Sequence, residues 1–94
     1  MAYMTYRGPA DVVFEMGEER SRVCDLGVTL EQTHTATFRL MFIPDRPERL
    51  SCTAVTVTLP LPSGIVEHGP VTYTKSGLLV FYTGDEWGMP RGQP

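Results

Sequence analysis

His34-Thr35-Ala36-Thr37-Phe38-Arg39-Leu40-Met41-Phe42-Ile43 is the stretch that decides the fold class. Successive side chains of a strand point to opposite faces, so residues two apart share a face. Ala36, Phe38, Leu40 and Phe42 then line one face, and Thr35, Thr37 and Arg39 line the other. Apolar and polar positions alternating in this way mark a strand with one side in a core and one toward water. A helix would need apolar residues at i, i+3, i+4 and i+7, and no segment of the chain offers that pattern.

The same reading extends in both directions. Downstream, Asp45-Arg46-Pro47-Glu48 is a polar turn, and Leu50 to Leu59 is a β-branched run with Val55, Val57 and Leu59 facing inward. Upstream, Gln32-Thr33 is the expected reversal, and from Arg22 the chain alternates with Cys24, Leu26, Val28 and Leu30 on the apolar side. Asp11 to Met16 is a shorter strand closed by Gly17-Glu18-Glu19, with Val12, Phe14 and Met16 on one face. Pro60-Leu61-Pro62-Ser63-Gly64 is a loop, because proline cannot donate to a central ladder. Ile65-Val66 is a brief strand. Val71–Thr74 and Leu78–Thr83 form a hairpin about Lys75-Ser76-Gly77.

Strands at this spacing predict an all-β domain of six or seven strands, a small antiparallel β-sandwich or, alternatively, a small β-barrel, with extended termini. The expected buried set is Cys24, Leu26, Val28, Phe38, Leu40, Phe42, Val55 and Val57. Residues 1–94 make a single domain, with 1–10 an edge strand or arm and 85–94 a C-terminal tail.

Composition narrows the partners. Eight Lys plus Arg face eleven Asp plus Glu, for a net charge of −3, and the arginines lie scattered along the chain. That balance gives no footprint for nucleic acid or an anionic membrane. No apolar run approaches the about 20 residues that cross a bilayer, and no basic segment leads into an apolar one at the N-terminus. The expected location is the cytoplasm, or a virion or other assembly formed there. Cys24 and Cys52, the two cysteines, are then reduced thiols, with a disulfide between them the alternative in an oxidising compartment.

The ionisable chemistry is thin. His34 and His68 have no second ligand at metal-site spacing, and the Glu18-Glu19 and Asp85-Glu86 pairs stand in polar turns and tail. Cys24 on an apolar face predicts an inert thiol rather than a nucleophile. No Gly-x-Ser-x-Gly elbow and no phosphate-cradling glycine loop is present. Catalytic residues, cofactors and metal are accordingly not expected.

Two features point instead to protein contact. Trp87, the one tryptophan, lies with Met89 and Arg91 beyond the last alternating strand. Trp and Arg are the side chains that most often anchor interfaces, although Trp87 folding back onto its own core is an equal reading. Tyr3 and Tyr6 stand in a β-prone N-terminal stretch that offers an edge. The expectation is a non-enzymatic protein–protein interaction domain, a subunit or inhibitor within a larger complex or a structural component of a viral or other repeating assembly. A small-ligand or metal-binding barrel using His34 or His68 is the alternative.

Overall fold

Gly17 and Gly77 each take a left-handed φ, 68° and 74°, and each reverses the chain between two strands. The computed structural model describes residues 3–44 and 46–83, where the strands are β1 Thr5–Met16, β2 Glu19–His34, β3 Thr37–Phe42, β4 Ala54–Thr58, β5 Val66–Lys75 and β6 Leu78–Tyr82. A 3-10 helix, Pro47–Ser51, lies between β3 and β4. Every pairing is antiparallel, and the order β1-β2-β3-β6-β5-β4 returns to β1. The strands therefore close into a barrel, the alternative to the sandwich.

Closure depends on strands that serve two neighbours at different points along their length. β1 pairs with β2 from Thr5 to Met16 but with β4 only from Asp11 to Glu15. β5 gives Val66–Pro70 to β4 and Val71–Lys75 to β6, bending at an irregularity between Val71 and Tyr73. It is one continuous strand through Pro70, where two short ones were expected. Gly69 makes the bend feasible, because a Cβ there would stand 1.8 Å from the carbonyl oxygen of Tyr82.

Val12, Phe14, Leu30, Leu40, Val55, Val57, Leu79 and Phe81 fill the interior. Phe38 stacks on Phe81 with ring centroids 5.6 Å apart, and Phe14 meets Phe42 at 5.5 Å. Val28, Phe38, Leu40, Phe42, Val55 and Val57 are buried as the alternation predicts, and Leu26 is half-buried against the core.

Cys24 is a correction: it is exposed. Ala10 pairs with Leu26 and Val12 with Val23, so Asp11 alone spans Cys24 and Asp25. That extra residue is a β-bulge, and it moves every side chain on its far side to the opposite face. Val23 packs on the core in place of Cys24. Asp25 absorbs the bulge with φ 57°, and Asp11 holds it from across the ladder.

Strand boundaries also shift, and β1 starts at Thr5 and β2 at Glu19 rather than at Asp11 and Arg22. β2 runs on to His34 and reverses at Thr35-Ala36, three residues beyond the expected Gln32-Thr33, after an irregularity between Gln32 and His34. Pro47–Ser51 is helical, so β4 begins at Ala54 rather than Leu50.

The barrel has two distinct ends. One holds the Gly17-Glu18 and Ser76-Gly77 turns and the connection from β3 to β4. Arg49 closes this end: its guanidinium stands 5.4 Å from the Phe14 ring centroid, donates to Ser21 Oγ and is 7% exposed. The other end, the mouth, holds the start of β1, the Thr35-Ala36 turn, the loop at 59–65 and Thr83. There Thr83 N–H donates to the Ala36 carbonyl at 2.7 Å.

Candidate functional site

β3 stops at Phe42 while β2 continues, and the step between them makes a hollow on the outside of the barrel. Pairing of β2 with β3 begins at Val28, so among the described residues Glu19–Gly27 of β2 pair with β1 alone. Register then sets four outward side chains in a row across four strands, Arg7 beside Thr29, Thr29 beside Met41 and Met41 beside Leu78. Gly8 and Gly27 contribute no side chain to the wall, and the hollow, open to solvent, has a volume of about 620 Å³. Ile43, 87% exposed, stands at its rim.

Two guanidiniums flank this apolar floor and differ in their freedom. Arg39 is committed to Glu31, with Nε donating to Oε1 at 2.9 Å and Nη2 donating to the same oxygen. Arg7 is exposed and makes no ion pair among the described residues. The hollow can therefore take an apolar side chain against Met41, Ile43 and Leu78, with a carboxylate reaching Arg7.

A second groove lies at the mouth between the start of β1 and the loop at 59–65. Met4, Tyr6, Leu59, Leu61 and Ile65 line it, and Leu61 is 85% exposed. Met4 and Tyr6 pack inward on the core, and Tyr6 Oη donates to the Pro9 carbonyl at 2.6 Å. Thr5–Ala10 of β1 pair with β2 on one side, and among the described residues no strand pairs with the other.

Tyr3 is exposed just ahead of β1 at this mouth, and Tyr6 is half-buried within it. Trp87, Met89 and Arg91 lie outside the described residues. His34 and His68 are both exposed, on β2 and β5, which are not neighbours in the barrel. His34 Nδ1 is 3.3 Å from Thr33 Oγ1, and His68 Nδ1 is 2.6 Å from Thr56 Oγ1. Among the described residues, no three His, Cys, Asp or Glu side chains gather into a group able to hold a metal.

Cys24 and Cys52 are free thiols, and burial pushes the Cys52 thiol up. Glu67 pairs with the fully buried Val57 and so shares its inward face at the mouth; burial pushes its carboxyl up. Among the described residues no helix is long and apolar enough to cross a membrane.

The outer hollow was missed in the sequence. Its one local signal was Met41 and Ile43, two apolar residues on the face that carries Thr35, Thr37 and Arg39. Arg7 and Leu78 join them only through strand register. No family model, no curated protein and no solved structure matches the chain.

Proposed function

We propose that the protein is a non-enzymatic protein–protein interaction domain, a subunit or inhibitor within a larger complex, and that it takes its partner in the outer hollow. The observation that carries this reading is the row Arg7, Thr29, Met41 and Leu78 beside the exposed Ile43. An exposed isoleucine with apolar neighbours and an uncommitted guanidinium is the composition of an interface anchor. The partner is a protein segment that presents an apolar side chain next to a carboxylate. Beside Gly27, the side of β2 that no strand among the described residues pairs with lets that segment lie extended along the strand.

A structural component of a viral or other repeating assembly is one form of the same reading. We place the protein in the cytoplasm or in an assembly formed there, a setting that free thiols at Cys24 and Cys52 suit.

The test is affinity capture from the native host with the wild-type chain, Ile43→Asp and Arg7→Glu. A protein partner retained by the wild type and lost by Ile43→Asp, at an unchanged melting temperature, supports the reading. A partner held equally by all three chains would sink it.

A further inference from the structure

β4 parts from β1 at the mouth because its register runs into proline. Thr58 pairs with Asp11, so a ladder continued in step would set Pro60 opposite Pro9 and Pro62 opposite Arg7. Proline has no N–H to give. The chain turns away instead, with Leu59 N–H donating to the Ile65 carbonyl and Gly64 N–H to the Pro60 carbonyl. On β1, the Met4 carbonyl accepts the Gln32 N–H from β2. Backbone groups of an antiparallel strand alternate sides, so Thr5, Arg7 and Pro9 turn theirs away from β2. Pro9 has no N–H, and its carbonyl already accepts from Tyr6 Oη. The backbone N–H and C=O groups of Thr5 and Arg7 therefore have no partner among the described residues.

We propose that this edge binds one extended strand of a partner protein, antiparallel to β1 in the place that β4 vacates. The strand sets a carboxylate opposite Arg7 and, one residue later, an apolar side chain opposite Tyr6. Directly opposed residues share a face of the sheet. The residue opposite Tyr6 therefore enters the groove of Met4, Leu59, Leu61 and Ile65, where no lining side chain is charged. The residue opposite Arg7 stands on the outer face, beside a guanidinium that makes no ion pair among the described residues. That charge selects a partner over a second copy. Thr5–Ala10 holds no acid, and two β1 edges would bring two Arg7 side chains together. Main-chain groups supply the affinity of an added strand, and its alternate side chains supply the specificity. The site lies apart from the outer hollow and shares only the Arg7 side chain with it.

The probe is a capped heptapeptide of valine and threonine with glutamate then leucine at its centre, titrated into the isotopically labelled full chain. Binding should slow hydrogen exchange at the Thr5 and Arg7 amides. Methylating the glutamate nitrogen, which faces Arg7, should weaken binding about tenfold. Methylating the leucine nitrogen, which faces away from β1, should weaken it far less. Leu61→Ser in the protein, or lysine for glutamate in the peptide, should each weaken binding by a similar factor of about ten. None of these readouts passes through Ile43, so they can fail while the outer hollow still holds its partner, and the reverse. A peptide that does not bind at millimolar concentration overturns the proposal. So do equal affinities for the two methylated peptides, or for the wild type and Leu61→Ser. Thr5 and Arg7 amides already protected in the free protein overturn it as well: protection lost on dilution assigns the edge to a second copy, and protection that persists shows the edge filled from within the chain.

Discussion

Asp11 Oδ1 accepts the backbone N–H of Asp25 at 3.2 Å, across the bulge that turns β2 over. Its second oxygen pairs with Arg22 at 3.2 Å. The Asp25 hydrogen bond first, and the Arg22 hydrogen bond second, hold the Asp11 carboxyl below the ordinary aspartate value. A carboxyl lowered on folding contributes stability above its unfolded value, near about pH 3.9, and loses it as pH falls through the folded value. Asp11→Ala should therefore lower Tm at neutral pH, with the gap from wild type narrowing as the solution is acidified below about pH 4. A gap that stays constant down to strong acid would separate Asp11 from the bulge.

Asp25 itself carries the left-handed backbone, at φ 57°. A β-branched side chain in that region costs about 1–2 kcal/mol, whereas glycine has no such penalty but loses more chain entropy on folding. Asp25→Val should destabilise more than Asp25→Gly in urea, by up to about 1–2 kcal/mol, and Asp25→Gly should stay within about 1 kcal/mol of wild type. Equal losses in the two would mean that the bulge does not fix this conformation.

What was legible in the sequence follows from the range of the interaction. Burial of Phe38, Leu40, Phe42, Val55 and Val57 follows from alternation, which each segment carries alone. The exposure of Cys24 does not, because it is set by Asp11 on another strand. Barrel closure was illegible for the same reason: it rests on β5 running on through Pro70 and passing from β4 to β6 between Pro70 and Val71, and proline reads locally as a strand breaker. Of the outer hollow, Met41 and Ile43 could be read as apolar residues on a polar face. Their alignment with Arg7 and Leu78 is a fact of register alone.

Gly69 is the position where one methyl group should do the most harm. Its ideal Cβ falls 1.8 Å from the Tyr82 carbonyl oxygen and 2.7 Å from that carbonyl carbon, both of them backbone atoms. Relief requires β5 and β6 to separate at the bend. Gly69→Ala should cost about 3 kcal/mol or more by urea denaturation, among the larger losses a point substitution produces. Gly27→Ala, with no atom within 4 Å of its Cβ, is the control and should cost far less. Similar losses at the two sites would show that β5 does not bend as described.

The two thiols should differ sharply in reactivity. Cys24 is exposed on the bulge, while Cys52 is buried and its thiol is pushed up, so little thiolate forms at neutral pH. Brief treatment of the native protein with an alkylating reagent should add one label, at Cys24, and treatment in denaturant should add two. Labelling of Cys52 at the same rate in the native state would place that residue outside the core.

Glu67 provides a titration of opposite sign to Asp11. It shares the inward face of Val57, and burial raises its carboxyl above the ordinary glutamate value. With the folded value above the unfolded one, near about 4.3, the native state holds the extra proton between the two. Stability therefore falls as pH rises from about 4.3 through the folded value, and the deficit persists at neutral pH. Glu67→Gln keeps the shape and removes the charge, so it should raise Tm at pH 7 and leave it nearly unchanged below about pH 4. A loss at pH 7 would mean that the Glu67 carboxylate is stabilised in the folded protein, by a cation or a donor at the mouth, and that burial is not the dominant influence on it.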